Sequence, residues 1–437
     1  MFVTVQERGR QGMKKKIYIA AALCISVLLI IIFICAVRMS EKTEKNTIQN
    51  AVPGLVEYRG TEQPEVKRAD ECEETDEYDA ETISLSSTEQ KEIRKHVLNT
   101  VETCRGIYEA ADKGNADNVV LSDSDMKKLA DCLAAKGDTV SCGGNIYNMQ
   151  NEESLDQVLN RAMVGEDAVE EFFHITKSGV FEWRKLEFSK GDMTMTYAGA
   201  VWMQKEETLE PHISYLEKVK VYDWKYTNKG WLIIEISKSR NHEMDMHSMF
   251  RVLPLPQECR EYCSKYIEPV SYMGNNLFLT DWDEENLDKV VFNDVFEFFY
   301  KMDTGMNYKK KQYPEGVPKD LYESIITSHF PISATELQQL PGYSEENQTY
   351  SWNAMECGTV IPQPQPFPEV VEVTNQEDGS IILTVDAGLL HAGTDHAFTH
   401  GVTIKPGSDG KMQYLGNRII ESEENKMPGY MPRMNYQ

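Results

Sequence analysis

The chain has 437 residues, of which 41% are hydrophobic and 26% charged, and its 70 Asp and Glu against 45 Lys and Arg give a formal charge of −25. That length allows a membrane anchor plus two ordinary domains. The acidic balance argues against nucleic acid, anionic lipid heads and anionic wall polymers as partners, because like charges repel.

The first organised stretch is Ile17 to Val37, an uncharged apolar run. At about 1.5 Å per residue it spans a hydrocarbon core of roughly 30 Å, which predicts a transmembrane helix. Arg8, Arg10, Lys14, Lys15 and Lys16 precede it, whereas only Arg38 follows closely. Basic flanks stay inside, so residues 1–16 are expected to be a cytoplasmic tail and the rest of the chain extracytoplasmic. A cleaved signal peptide has a shorter apolar core, and no A-x-A site closes the run. The lipoprotein alternative needs a small residue before the acylated cysteine, but Leu23 precedes Cys24 and Ile34 precedes Cys35. A single-pass signal anchor is the expectation, with a lipoprotein or secreted form as the alternative.

Beyond residue 40 the chain carries 39 basic and 69 acidic side chains, a net −30. Residues 38–87 read as a disordered linker, since eight of the twelve residues from Asp70 to Glu81 are acidic and few are apolar. A first α+β domain is expected over residues 88–250. Ile93, Val97, Val101, Cys104, Tyr108 and Ala111 share one face of a helix over 88–112, and a second helix follows Ser122 with Met126, Leu129 and Leu133 inward. The period then changes to two. Met193, Met195 and Tyr197 alternate, WLIIEI runs from Trp231, and turn clusters TKSG, SKGD and TNKG separate the runs, as in an antiparallel meander.

A second α+β domain is expected over residues 251–420. Pro256 opens a helix carrying Cys259, Tyr262, Cys263 and Tyr266; a longer helix runs over 285–302; and Ser333-x-x-Glu336 is a capping box. Alternating Pro362, Pro364, Pro366 and Pro368 suit polyproline geometry. SIILTVD, FTHGVTI and KMQYLGNRI then read as strands, and residues 421–437 as a polar tail.

The phrases RVLPLPQECREYCSKYIEPVSY, NNLFLTDWDEENL, FPISATELQQLPGYSEENQTYSW and PEVVEVTNQEDGSIILTVDAG lie between residues 251 and 388, and the resemblance they carry covers most of residues 120–420. In these the chain resembles an uncharacterised family of membrane-anchored, extracytoplasmic proteins of clostridia-like Gram-positive bacteria. The resemblance implies the outside location and brings no activity, cofactor or catalytic residue with it.

Candidate sites are few. HAGTDHAFTH offers His391, Asp395 and His396 as metal ligands, with His400 beyond them. In a strand, four residues span about 13 Å, too far for His396 and His400 to share one ion. His400 instead shares its side with Phe398, Val402 and Ile404 and reads as a hydrogen-bonded core histidine. Cys259 and Cys263 lack a second cysteine pair at zinc-like spacing and read as core. Asp281, Asp283 and Glu285 resemble a calcium loop, but Asn286 stands where its glycine belongs. No G-x-S-x-G, H-E-x-x-H or glycine-rich phosphate loop occurs. Tyr222, Trp224, Tyr226 and Trp231, with Trp183 and Trp202, are assigned to the core rather than to an exposed sugar-binding face. The expectation is a non-catalytic protein, without cofactor, that binds another envelope protein or a surface ligand. The alternative is an envelope hydrolase with dispersed catalytic residues.

Overall fold

The computed structural model describes residues 80–114, 118–143, 149–205, 208–237, 247–309, 315–355, 362, 365–407 and 410–434. These fall in one compact unit, Thr75–Gln437, distinct from a unit of residues Met1–Glu74. The anchor expected at 17–37, the linker up to residue 79, and Cys72, Cys357, Pro364 and residues 435–437 lie outside the described residues. Among those described, no helix is long and apolar enough to cross a membrane.

Ser86 opens helix α1 (Ser87–Glu102) with a capping box, its hydroxyl accepting from Glu89 N while the Glu89 carboxylate accepts from Ser86 N. The single helix expected over 88–112 is broken. Thr103 Oγ1 donates to the Thr100 carbonyl at 2.7 Å, and the chain restarts beyond Cys104 as α2 (Arg105–Ala110). A hydroxyl that bonds backward in this way competes with the helix ladder. Ser122 caps α3 (Asp123–Ala134), and the short strand β1 (Val140–Cys142) follows. Helix α4 (Glu153–Met163) was not foreseen, although Leu155, Val158, Leu159 and Ala162 recur at helical spacing and are buried.

Strands β2 (Ala168–Ile175), β3 (Phe181–Ser189), β4 (Asp192–Lys205) and β5 (Thr208–Lys220) form the expected antiparallel meander, with β1 joining β2 in parallel at one edge. Alternation gives the sheet two apolar faces. Phe173, Phe181 and Trp183 pack under α1–α3 with Val97, Leu129 and Leu133. Phe172, Leu186 and Met195 pack under α4 with Leu155 and Leu159.

A small antiparallel sheet follows: β6 (Asp223–Tyr226), β7 (Trp231–Glu235) and β8 (His247–Arg251). Its central strand is apolar without alternation because both of its faces are covered. Leu232 and Ile234 enter the core around α4, while Trp231, Ile233 and Met249 meet Phe367 and Leu390 of the C-terminal half.

The C-terminal half begins with α5 (Gln257–Tyr262), which runs into a π-helical turn, Cys263–Ile267. Strand β9 (Trp282–Asp283) leads to α6 (Phe292–Thr304), which starts later than expected. The Asn276 side chain accepts from Val291 N at 3.0 Å and donates to the Lys289 carbonyl at 2.7 Å, holding residues 289–291 out of the helix. Strand β10 (Val317–Pro318), helix α7 (Lys319–His329), the capped α8 (Ala334–Leu337), β11 (Tyr343–Ser344) and β12 (Thr349–Tyr350) follow. Strands β13 (Phe367–Asn375), β14 (Ile381–Leu389), β15 (Thr394–Pro406) and β16 (Met412–Ile420) make an antiparallel sheet that β9 extends. The α+β class holds, and helices followed by sheet recur in both halves, but the halves pack as one unit.

The end of the chain is more than a polar tail. Tyr430 Oη donates to Asp294 Oδ2 at 2.6 Å, and the buried Arg433 guanidinium meets Asp294, Glu297 and the carbonyl of Asn353. The planar fork reaches several acceptors at once, which an ammonium does not. Arg433→Lys is therefore expected to cost about 2 kcal/mol. Amide hydrogen exchange over residues 421–434 should accelerate in that variant; unchanged protection would mean that the fork does not hold the tail.

Candidate functional site

The N-terminal end of α3 and the turn after α5 stand on opposite sides of a cleft of about 960 Å³. Asp123, Ser124, Lys127, Asp131 and Cys142 line one wall, and Arg260, Glu261, Cys263, Ser264 and Glu268 the other, with Glu369 and Val370 of β13 between. Much of the wall is already engaged. Lys127 pairs with Asp131 at 2.8 Å, Glu261 accepts from the Gln257 amide at 2.6 Å, and Arg260 Nε donates to the Leu255 carbonyl at 3.2 Å. Glu268 reaches water at the mouth while the flanking protein withholds part of its hydration. This desolvation, with Asp123 nearby, raises its carboxyl pKa, and Lys177 opposes the rise. Burial pushes the Cys142 thiol up to about 11 and the Cys263 thiol up to about 12, so both remain neutral at pH 7.

Glu369 connects this cleft to the seam between the halves. Trp231 Nε1 donates to Glu369 Oε2 at 3.0 Å, and Arg251 Nε lies 3.5 Å from Glu369 Oε1. Both charged groups are buried, and desolvation raises the Glu369 pKa and lowers that of Arg251. Beside them Lys229 Nζ donates to Asp386 Oδ2 at 2.7 Å, and Thr399 Oγ1 to Asp386 Oδ1 at 2.6 Å. The halves approach so closely here that a Cβ on Gly393 would strike the His247 ring.

Of the residues singled out in HAGTDHAFTH, His391 lies in the turn Leu390–Ala392, and its side chain falls outside what the structure describes. Asp395 and His396 are neighbours on β15, so their side chains leave opposite faces. Asp395 belongs with the seam: its carbonyl accepts from Lys229 at 3.4 Å and its charge acts on Arg251. Among the described residues, no group of three or more His, Cys, Asp or Glu is placed to hold a metal ion. His400 is fully buried, with Nε2 2.9 Å from Tyr272 Oη and Nδ1 2.7 Å from Asn417 Oδ1. Cys259 and Cys263 are buried, and Cys263 donates to the Pro368 carbonyl at 3.6 Å. Asp283 Oδ1 accepts from Glu285 N at 3.0 Å, and Asp281 Oδ1 from Ile419 N at 2.6 Å, so these carboxylates close a turn and tie it to β16. Trp183, Trp202, Tyr226 and Trp231 are buried, whereas Tyr222 is exposed.

Sequence reasoning missed Glu268 and Glu369. Glu369 left one signal, a carboxylate flanked by Pro368 and Val370 at a strand entrance; Glu268 left none. Ser141 and His174 were also missed. They are register partners across β1 and β2, with Ser141 Oγ 2.8 Å from His174 Nδ1, and burial lowers the His174 pKa to about 4.

No curated protein and no solved structure matches the chain. A family model does, over residues 90–433, which takes in both halves, the cleft and the docked tail. The chain therefore belongs to the family of unknown function DUF6070.

Proposed function

We propose that this is a membrane-anchored, extracytoplasmic binding protein, without catalysis of its own, whose two α+β halves are the walls of one receptor. The apolar run Ile17–Val37 with its basic flank supports the anchor and the orientation. The likeness to membrane-anchored proteins of clostridia-like bacteria supports the envelope setting. The observation that carries the binding reading is the cleft. Its carboxylates outnumber its cations, Lys127 is occupied by Asp131, and Glu268 stands at the mouth with no ion pair among the described residues. Such a surface favours a neutral or cationic polar group, presented by another envelope protein or a surface polymer, and disfavours an anion. Its thiols are protonated and so are poor nucleophiles.

One observation favours the hydrolase instead: the Ser141–His174 contact has the spacing of a nucleophile and its base. A base whose pKa lies near 4 accepts a proton weakly at neutral pH, and therefore we place this reading second.

Photo-crosslinking in native membranes tests both. A photoreactive residue at Gln257, in the cleft, should capture a defined partner, and Glu268→Arg should reduce capture at least tenfold. A reporter at the exposed Val164, away from the cleft, should capture none of it. Equal capture from both positions would refute the cleft. Turnover of a wall-derived peptide or ester by the full chain, abolished in Ser141→Ala, would establish the hydrolase in its place.

A further inference from the structure

We propose that Cys104 and Cys132 form a redox pair that closes into a disulfide joining the start of α2 to α3. The two thiols sit where α2 begins against α3, at the crossing of these helices. Each thiol also donates to the backbone beside the other. Cys132 Sγ lies 3.6 Å from the Thr103 carbonyl, next to Cys104, and Cys104 Sγ lies 3.9 Å from the Leu129 carbonyl, one turn before Cys132. The helix break at Thr103 creates this crossing, because it makes Cys104 the N-cap of a new helix that packs on α3. Cys104 is buried and Cys132 partly exposed, so an oxidant meets Cys132 first.

The chemistry needs an oxidant that is itself a disulfide, either a small molecule such as glutathione disulfide or a thiol oxidoreductase. The Cys132 thiolate displaces one of its sulfurs and forms a mixed disulfide. The Cys104 thiolate then attacks the Cys132 sulfur, the new bond closes, and the second sulfur of the oxidant leaves. Two electrons pass to the oxidant, and the two protons lost by the cysteines end on the two released thiols. Burial pushes the Cys104 thiol up to about 12. The closing step is therefore slow at neutral pH, and Cys104 is a poor leaving group, so the finished bond resists reduction. Closure ties a loop of roughly 30 residues and fixes α2 against α3, the helix that also forms one wall of the cleft. The pairing rests on the crossed bonds of the two thiols to the Leu129 and Thr103 carbonyls, and stands or falls separately from the binding reading.

The test equilibrates the detergent-solubilised full chain in glutathione buffers from fully reduced to fully oxidised, followed by acid quenching, alkylation and non-reducing digestion. Mass spectrometry should find the Cys104 peptide joined to the Cys132 peptide as the main oxidised species. The buried Cys142, Cys259 and Cys263 should remain alkylatable after denaturation. The oxidised chain should melt roughly 5 °C higher than the reduced one. Cys132→Ser, a change at a partly exposed position, should lose both the linked peptide and the shift. Recovery of both thiols in alkylated form at the oxidising end would overturn the proposal. So would a glutathione adduct on Cys132 that never resolves.

Discussion

Replacing Glu369 by glutamine is expected to destabilise the protein by about 3–5 kcal/mol, while adding Arg251→Met to that variant restores most of the loss. Glutamine keeps an acceptor for Trp231 Nε1, which now bonds Glu369 Oε2 at 3.0 Å, so the single change removes charge and little else. What it leaves is the Arg251 guanidinium, buried against the Trp231 ring at 5.6 Å, with only the weaker influence of Asp395 and Asp386 to balance its charge. An unpaired buried cation is costly; a pair removed together is not. The pair itself is loosely made. Arg251 Nε and Glu369 Oε1 stand 3.5 Å apart, and neither atom has a hydrogen-bond partner. Burial also shifts each group toward its neutral form despite the other's charge, so desolvation exceeds their mutual attraction.

The seam therefore draws its strength from Trp231, Ile233, Met249, Phe367 and Leu390, and the ion pair is better understood as setting how the halves align. A double-mutant cycle of thermal or chemical unfolding measures this directly. If Glu369→Gln alone were as stable as the parent, the cation would not depend on its partner and the account of the seam would fail. Because Glu369 also lines the cleft, the same single variant should weaken crosslinking from Gln257.

These two regions differ in how visible they were in the sequence. The hairpin of β15 and β16 was legible because FTHGVTI and KMQYLGNRI alternate cleanly on either side of a glycine turn, and His400 could be placed in the core from Phe398, Val402 and Ile404 alone. The capping boxes at Ser86 and Ser333 are local, each closed within four residues by Glu89 and Glu336. The late start of α6 was not legible. Leu287 and Val291 keep helical spacing, and the group that captures Val291 N is Asn276, fifteen positions upstream in an irregular segment. The seam could be half read: WLIIEI announces a strand buried on both sides, but nothing nearby says that Phe367 and Leu390 cover it. The cleft could not be read at all, since Asp123, Glu268 and Glu369 belong to segments that only the folded chain brings together. Local chemistry is written locally, whereas convergence depends on packing.

Acidification from pH 6.5 to 4 should unfold this protein well before its surface carboxylates are all protonated, and His400 should account for much of that loss. Burial between Tyr272, Phe278 and Phe398 lowers its pKa to about 4, against an ordinary 6.5; its bond to Asn417 and the Asp386 charge oppose the shift. His174 is lowered to about 4 as well, by burial first and then by Arg184, with Glu182 opposing. The sign follows from which state holds the proton. Between pH 6.5 and 4 the unfolded chain binds a proton at each histidine and the folded chain does not, so stability falls as pH falls. Lowering the pKa from 6.5 to about 4 corresponds to about 3 kcal/mol for each residue at the end of that window. His96 runs the other way, since its bond to Glu171 raises its pKa; the stability it contributes is present below pH 6.5 and is lost as pH rises through its folded pKa. Denaturation of the parent and of His400→Gln at half-unit steps from pH 7 to 4 separates these contributions. Glutamine keeps polar partners for Tyr272 and Asn417 but takes up no proton, so the stability difference between the two chains should shrink steadily below pH 6.5, by up to about 3 kcal/mol at pH 4. A difference that stays constant across the window would mean that His400 titrates normally in the folded protein, and its place in a sealed core would be wrong.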